Sequence, residues 1–217
     1  MIRHSHAILG TALALTAGCA TTQPIDYSAF RAHEPRSILV LPPLNETVEA
    51  LSDYNWLSTA TMPLAEHGYY VFPVAVVDEF MKENGLPTPG EMHAVPPSRL
   101  GEVFGADAIL YVTIVEWGQK YIVLSSNTVV GVRARLVDAT TSTELWSGNV
   151  RLVESSGGGN DLLVELIVAV VEQVVDSNVD RAHDLSRRAN LAMLWNKTTG
   201  IPPGHRNPDH LTDPRGR

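Results

Sequence analysis

The chain has 217 residues, 44% of them hydrophobic, with 16 Lys and Arg against 24 Asp and Glu for a formal net charge of −8. That length supports one domain with a sizeable core, or at most two small ones, and the composition excludes a disordered or polytopic chain. The acidic balance argues against a nucleic-acid binder, whose affinity rests on a basic surface. A single cysteine excludes an internal disulfide, a CxxC pair and any multi-cysteine metal cluster.

The first residues carry an address. Met1–His6 hold one arginine and two histidines, and Ala7–Leu15 is a short apolar run followed by Thr16-Ala17-Gly18-Cys19. A charged start, an apolar stretch and small residues before a cut site describe a secretory signal peptide. The run is far shorter than the ~20 residues that span a bilayer, so a retained transmembrane helix is not expected. Ala17 and Gly18 immediately ahead of the sole cysteine resemble a bacterial lipobox, with Thr16 a departure from the usual leucine. That resemblance implies cleavage after residue 18, acylation of Cys19 and anchoring to a membrane. Several acyl chains, at about 0.8 kcal/mol per buried methylene, hold essentially permanently. Ala20 stands where inner-membrane lipoproteins tend to carry aspartate, so the resemblance favours the outer membrane, with the domain on its periplasmic side.

Residues 19–35 show no period and are expected to be a tether, and residues 36–196 a single α/β domain. Ser37–Leu41, closed by Pro42-Pro43, is an apolar run expected as a strand buried on both faces. Trp56, Leu57, Ala60, Leu64 and Ala65 recur at helical spacing, with Pro63 either kinking the helix or opening its second part. Tyr69–Phe72 predicts a short strand, Val76–Glu83 a helix stopped by Asn84-Gly85, and 86–97 a proline-rich loop. Ser98 is the expected cap of a helix ending near Phe104-Gly105. Ala108–Val115 is a β-branched run for a sheet interior. Val130, Val132, Ala134 and Leu136 alternate with Gly131, Arg133 and Arg135, as in a strand with one wet face, and Glu144–Val153 returns beside it. The expected fold is α/β, a three-layer mixed sheet flanked by helices.

From Asp161 to Asp176 the sequence predicts a helix apolar nearly all round, with Glu165, Glu172 and Asp176 on one narrow wet stripe. So wide an apolar face is covered either within the chain or by a second subunit. If the helical stretch 179–195 does not cover it, a homo-dimer or larger assembly is expected, with Leu163, Ile167, Val171 and Val174 at the interface. Residues 197–217, rich in proline, are expected to be a flexible tail, loose or laid along a surface.

Chemical motifs are sparse. HExxH, GxSxG, GxGxxG and a P-loop are absent from the sequence. His205 and His210 lack a fixed third partner and make a poor metal site. Glu46, Asp53 and Glu66 show no spacing that pairs them as acid and base. No catalytic residue, no metal and no cofactor is therefore expected.

The lipobox, Ile38–Thr47, Pro63–Pro73, Phe104–Trp117 and Leu136–Gly148 together resemble a family of bacterial lipoproteins that includes a neisserial surface-antigen candidate. The likeness covers nearly all of the chain after Gly18. More distantly, Gly105-Ala106-Asp107-Ala108, Leu136-Val137-Asp138 and Thr143-Glu144-Leu145-Trp146 are similar to three other groups. These are the periplasmic domain of the curli-secretion pore, activator lipoproteins of peptidoglycan synthases and the amino-terminal domain of TolB. The kinship implies a fold like that TolB domain, and it brings no catalytic residues. Tyr121–Thr128 is too short for the two long membrane hairpins of the curli pore, so a pore built from this chain alone is not expected. The implied role is a non-catalytic accessory or assembly partner of an envelope transport complex, with other envelope proteins, such as a curli-pore-like protein, as partners. The alternative is an activator of a cell-wall synthase. A tether of ~15 residues reaches at most about 50 Å, which suits the first role better.

Overall fold

The computed structural model describes residues 25–122, 125–155 and 181–216. Its sheet begins at β1 (Ser37–Val40), where Ile38, Leu39 and Val40 are all buried. Pro42-Pro43 interrupts the run, and β2 (Leu44–Asn45) resumes it along the same neighbour. That neighbour is β4 (Ala108–Ile122), parallel to both. β3 (Tyr70–Val71) lies parallel on the other side of β1. β5 (Ser125–Asp138) and β6 (Glu144–Ser155) complete an antiparallel meander, giving the order β3-β1-β4-β5-β6. The sheet is mixed, as the alternating and continuous apolar runs predict.

Helices cover both faces. On one side lie α1 (Ser28–His33), α2 (Ser52–Glu66) and α6 (Arg181–Leu194), meeting Ile38, Val40, Leu110, Val112, Val132 and Leu136. On the other lie α3 (Val74–Glu83), α4 (Pro89–Ala94) and α5 (Pro97–Phe104), meeting Leu39, Leu41, Ile109, Tyr111 and Val137. Adjacent residues of β1 and β4 thus point into different cores, which is why these two strands are apolar without alternation. A register shift between Ile114 and Glu116 returns Trp117 to the first core. The second shift, between Leu136 and Val137, lets Leu145 and Trp146 both bury on one side.

Several expectations need correction. Pro63 does not open a second helix, since α2 runs through it with the proline buried. Residues 86–97 are not a loop alone. Thr88 caps α4 in a reciprocal pair with Glu91, whose amide donates to Thr88 Oγ1 while Glu91 Oε2 accepts from the Thr88 amide at 3.0 Å. Ser98 is inside α5 rather than capping it, because the helix starts at Pro97. The tether ends earlier than residue 35, since Tyr27 and Phe30 are buried in the first core and α1 joins the domain.

The largest difference concerns residues 197–217. Up to Gly216 they form no loose tail, and Ile201 is fully buried. A row of main-chain carbonyls is taken up by side chains of the domain. Tyr27 Oη donates to Gly200 O at 2.6 Å, Tyr69 Oη to Pro202 O at 2.5 Å and Trp146 Nε1 to Thr199 O at 2.7 Å. His67 Nε2 meets Ile201 O at 2.8 Å. The strap's own Arg215 holds Asp213 and donates to Asn196 O at 2.6 Å. Prolines suit this part of the strap, because Pro202 and Pro203 have no amide to satisfy and the Pro202 carbonyl is one that the domain binds.

Candidate functional site

None of the residues singled out for anchoring or assembly can be placed, because Cys19, Leu163, Ile167, Val171 and Val174 all lie outside the described residues. The motif residues within the domain can be placed, and each has a structural task. Asp107 Oδ2 accepts from the amides of Arg36 and Ser37 and from Ser37 Oγ, tying the starts of β1 and β4. Asp138 Oδ1 accepts from the amides of Thr140 and Thr141, fixing the turn into β6. Glu46 accepts both bonds of a fork from Arg133 Nη2 at 3.0 and 2.9 Å. Asp53 and Glu66 sit at opposite ends of α2, on the order of 20 Å apart at 1.5 Å rise per residue, too far to share a proton transfer.

His205 and His210 line one small cleft with Glu34, Arg36 and Tyr69. His210 Nδ1 is engaged with Pro203 O at 2.8 Å. Among the described residues no group of three or more His, Cys, Asp or Glu is arranged to hold a metal ion. Buried polarity is concentrated between α2 and α6, where Thr59 Oγ1 donates to Trp56 O at 2.8 Å, accepts from Asn190 Nδ2 at 2.9 Å and meets Ser186 Oγ at 3.0 Å. That cluster is closed to solvent and fixes the helix pair.

The feature that asks for a functional explanation is an apolar strip at the β3 edge. Tyr70 and Phe72 meet edge-on at 5.0 Å, Phe72 meets Phe104 at 6.4 Å and Phe104 meets Phe80 at 5.2 Å. Tyr70 is 44% exposed, Phe80 41%, Val103 45% and Val76 64%. Phe72 and Phe104, which link the exposed rings, are half-buried against the second core, so these residues form a connected apolar strip rather than a scatter of single residues. It lies where the chain must be open. β3 is two residues long, an edge strand with one partner. α3 and α5 use Val77, Met81 and Leu100 to cover the second core, so their outer sides remain outside it. Sequence inspection flags Tyr69–Phe72 as a strand but gives no sign of the strip, because Tyr70, Phe80 and Phe104 come together only through β3, α3 and α5.

The opposite end of the same sheet face is polar. Arg133, Arg135, Ser147 and Asn149 are exposed there, and Arg135 lies over the Tyr111 ring at 4.1 Å. Burial pushes His93, which packs edge-on to Tyr111, below the ordinary imidazole range, against the opposing bond to Pro42 O. No helix of the described residues is long and apolar enough to cross a membrane.

Comparison with known proteins agrees with this architecture. A lipoprotein of Neisseria meningitidis serogroup B, "Putative lipoprotein NMB1124/NMB1162", is 43% identical over 191 residues, covering 86% of this chain and 89% of the relative. The crystal structure of lipoprotein GNA1162 from Neisseria meningitidis matches with 46% identity and a TM-score of 0.55, over 58% of this chain and 88% of that one. A PelC dodecamer subunit from Paraburkholderia phytofirmans is fainter, with 14% identity and a TM-score of 0.46 over 78% and 88% of the two chains. The family described as "Putative lipoprotein GNA1162-like" matches residues 25–206, from just ahead of α1 well into the strap. The chain belongs to that GNA1162-like lipoprotein family.

Proposed function

We propose that this protein is a lipid-anchored envelope protein that works by holding another protein, not by catalysis. Cys19 is acylated and fixes the chain to the outer membrane on its periplasmic side. The domain serves there as an accessory or assembly subunit of an envelope transport complex. The observation that carries the reading is the exposed strip from Tyr70 to Phe80, on a domain where Asp107, Glu46 and Asp138 are engaged in a strand start, an ion pair and a turn. Membership of a lipoprotein family supports the anchor, as does Ala17-Gly18 ahead of the only cysteine.

Two measurements test it. Cys19→Ala is expected to move the protein out of the membrane fraction; a variant that stays with detergent-soluble membrane after a high-salt wash removes the anchor from the reading. A photo-crosslinking residue at Val76 is expected to give a discrete adduct in cells that the same residue at Arg133, on the polar half of the sheet face, does not give. Equal labelling at both positions, or none at Val76, removes the docking role. Catalysis would be reinstated by an alanine change at Glu46, Asp53 or Glu66 that abolishes function while that adduct persists.

A further inference from the structure

Resting on the docking role proposed above, we infer that the strip receives a cationic amphipathic segment of its partner: a row of aliphatic side chains flanked by lysine or arginine. The solvent side of α3 presents Val76, Glu79, Phe80 and Glu83, spaced three and four apart and therefore on one face. Two of these are apolar and two are acidic. Glu79 and Glu83 are exposed, and neither has an ion-pair partner among the described residues. The only cations of α3 and α5 are already engaged. Lys82 Nζ is 2.6 Å from Asp78 Oδ2 and donates to Tyr54 Oη at 2.8 Å, and Arg99 pairs with Glu102 at 3.0 Å. The α3 end of the strip is therefore negative, and its apolar floor continues from Phe80 through Phe104 and Phe72 to Tyr70.

Charge and shape together select the occupant. The strip is on the order of 15 Å long, the length of about ten helical residues, enough for three anchors on successive turns. A second copy of this chain would bring its own Glu79 and Glu83 against the same pair, and the chain's net charge of −8 adds to that repulsion. An anionic lipid surface is repelled for the same reason. A segment with Leu-like anchors and flanking Lys or Arg gains apolar burial and opposite charge at once, and the attraction raises its association rate.

The test uses the full lipidated chain in phosphatidylcholine nanodiscs and three labelled helical peptides of about 14 residues, sized to span the strip. One pairs leucine with lysine, one leucine with glutamate, and one serine with lysine. Saturable binding of the leucine–lysine peptide is expected, at least about tenfold tighter than of the other two. Phe80→Ser and the paired Glu79→Lys/Glu83→Lys changes should each weaken it about tenfold or more, and so should raising salt. Val76→Ser, at a side chain 64% exposed, repeats the apolar test with little demand on the fold. Equal binding of the leucine–glutamate peptide, or indifference to the paired glutamate changes while Phe80→Ser still weakens binding, overturns the cationic partner and leaves the docking role standing. Indifference to Phe80→Ser and Val76→Ser overturns this inference, and loss of the Val76 adduct in cells separately removes the docking role beneath it.

Discussion

Gly68 and Gly204 cross so closely that a methyl group on either would lie 2.7 Å from the backbone of the other. The contact is reinforced by the Gly204 amide, which donates to His67 O at 2.8 Å, and the Arg206 amide, which donates to Gly68 O at 3.2 Å. Gly68 also has φ +98°, a region that side chains with a Cβ rarely adopt. This crossing locks the C-terminal strap across the start of β3.

Gly68→Ala is therefore expected to combine backbone strain with a clash and to cost about 2–4 kcal/mol, read as a lower urea midpoint. Gly204→Ala, which has the clash without the positive φ, is expected to cost less. If protease sensitivity around His205 stays at the parent level in both, the strap does not depend on the crossing.

Tyr27→Phe and Tyr69→Phe each remove a donor from a buried carbonyl of the strap, at Gly200 and Pro202 respectively. Tyr69→Phe is expected to lower stability by about 1–3 kcal/mol, the range for a buried acceptor left without its partner, and Tyr27→Phe by less, because Arg215 Nη1 still reaches Gly200 O at 3.4 Å. Because both act on one strap, the double variant is expected to lose less than the sum of the singles. Denaturant unfolding of the four proteins of the cycle measures the coupling directly.

Thr59→Val keeps shape but removes the hydroxyl that joins Trp56 O, Ser186 and Asn190. We expect a loss of about 1–3 kcal/mol, because Asn190, fully buried, is left with an unpaired amide. Thr59→Ser, which retains the hydroxyl, should recover most of it. Equal melting of the Val and Ser variants would remove the polar cluster as the cause.

The pH dependence has a definite sign. Burial lowers the pKa of His67, the carbonyl of Ile201 opposes the shift, and Arg215 lowers it further against Asp213. Burial lowers His93 in the same way. An unfolded imidazole takes a proton near pH 6.5, so below that pH the unfolded state binds more protons than the folded one. Stability is thus complete above about pH 6.5 and falls as the solution is acidified. His67→Gln, which keeps a donor for Ile201 O, is expected to flatten part of that slope between pH 7.5 and 5, compared by urea midpoints at each pH.

The stretch 161–176, whose apolar face is expected to be covered either within the chain or by a second subunit, supports a separate experiment. The chain without its acyl group is expected to run as a dimer or larger by light scattering, and Ile167→Glu or Val171→Glu to shift it to the monomer. A parent already monomeric at tens of micromolar sinks the interface, and variants that unfold assign the face to the core.

What the sequence made legible was the sheet. Ile38–Leu41 and Ala108–Val115 announce strands buried on both sides, and the alternation of Val130, Val132, Ala134 and Leu136 with arginines announces β5. Asn84-Gly85 and Gly105 mark the ends of α3 and α5. Helix α4 was missed, because the prolines of 86–97 read as a loop; the signal that would have found it is Thr88-Pro89-Gly90-Glu91, a capping box with proline at the first helical position. The strap was not legible. Its attachment runs through main-chain carbonyls, which every residue carries, so nothing in 197–217 distinguishes a bound segment from a free one. The donors that bind it are far away in sequence, and each passes for an ordinary core aromatic. The aromatic strip escaped for a related reason, since its rings are drawn from three elements and follow no local period.

Arg31 Nη1 reaches Arg215 O at 3.5 Å, and Tyr27 grips Gly200, so the point where the chain enters the domain is also where the strap closes on it. Mechanically, a pull on the residues ahead of Ile25 does not begin by peeling the sheet. It loads Tyr27, just ahead of α1, and passes from there to the strap and to Trp146 on β6, a strand at the far edge of the sheet from β3. The same strap is held at His67, Gly68 and Tyr69 beside β3, so one segment ties the entry of the chain to both edges of the sheet.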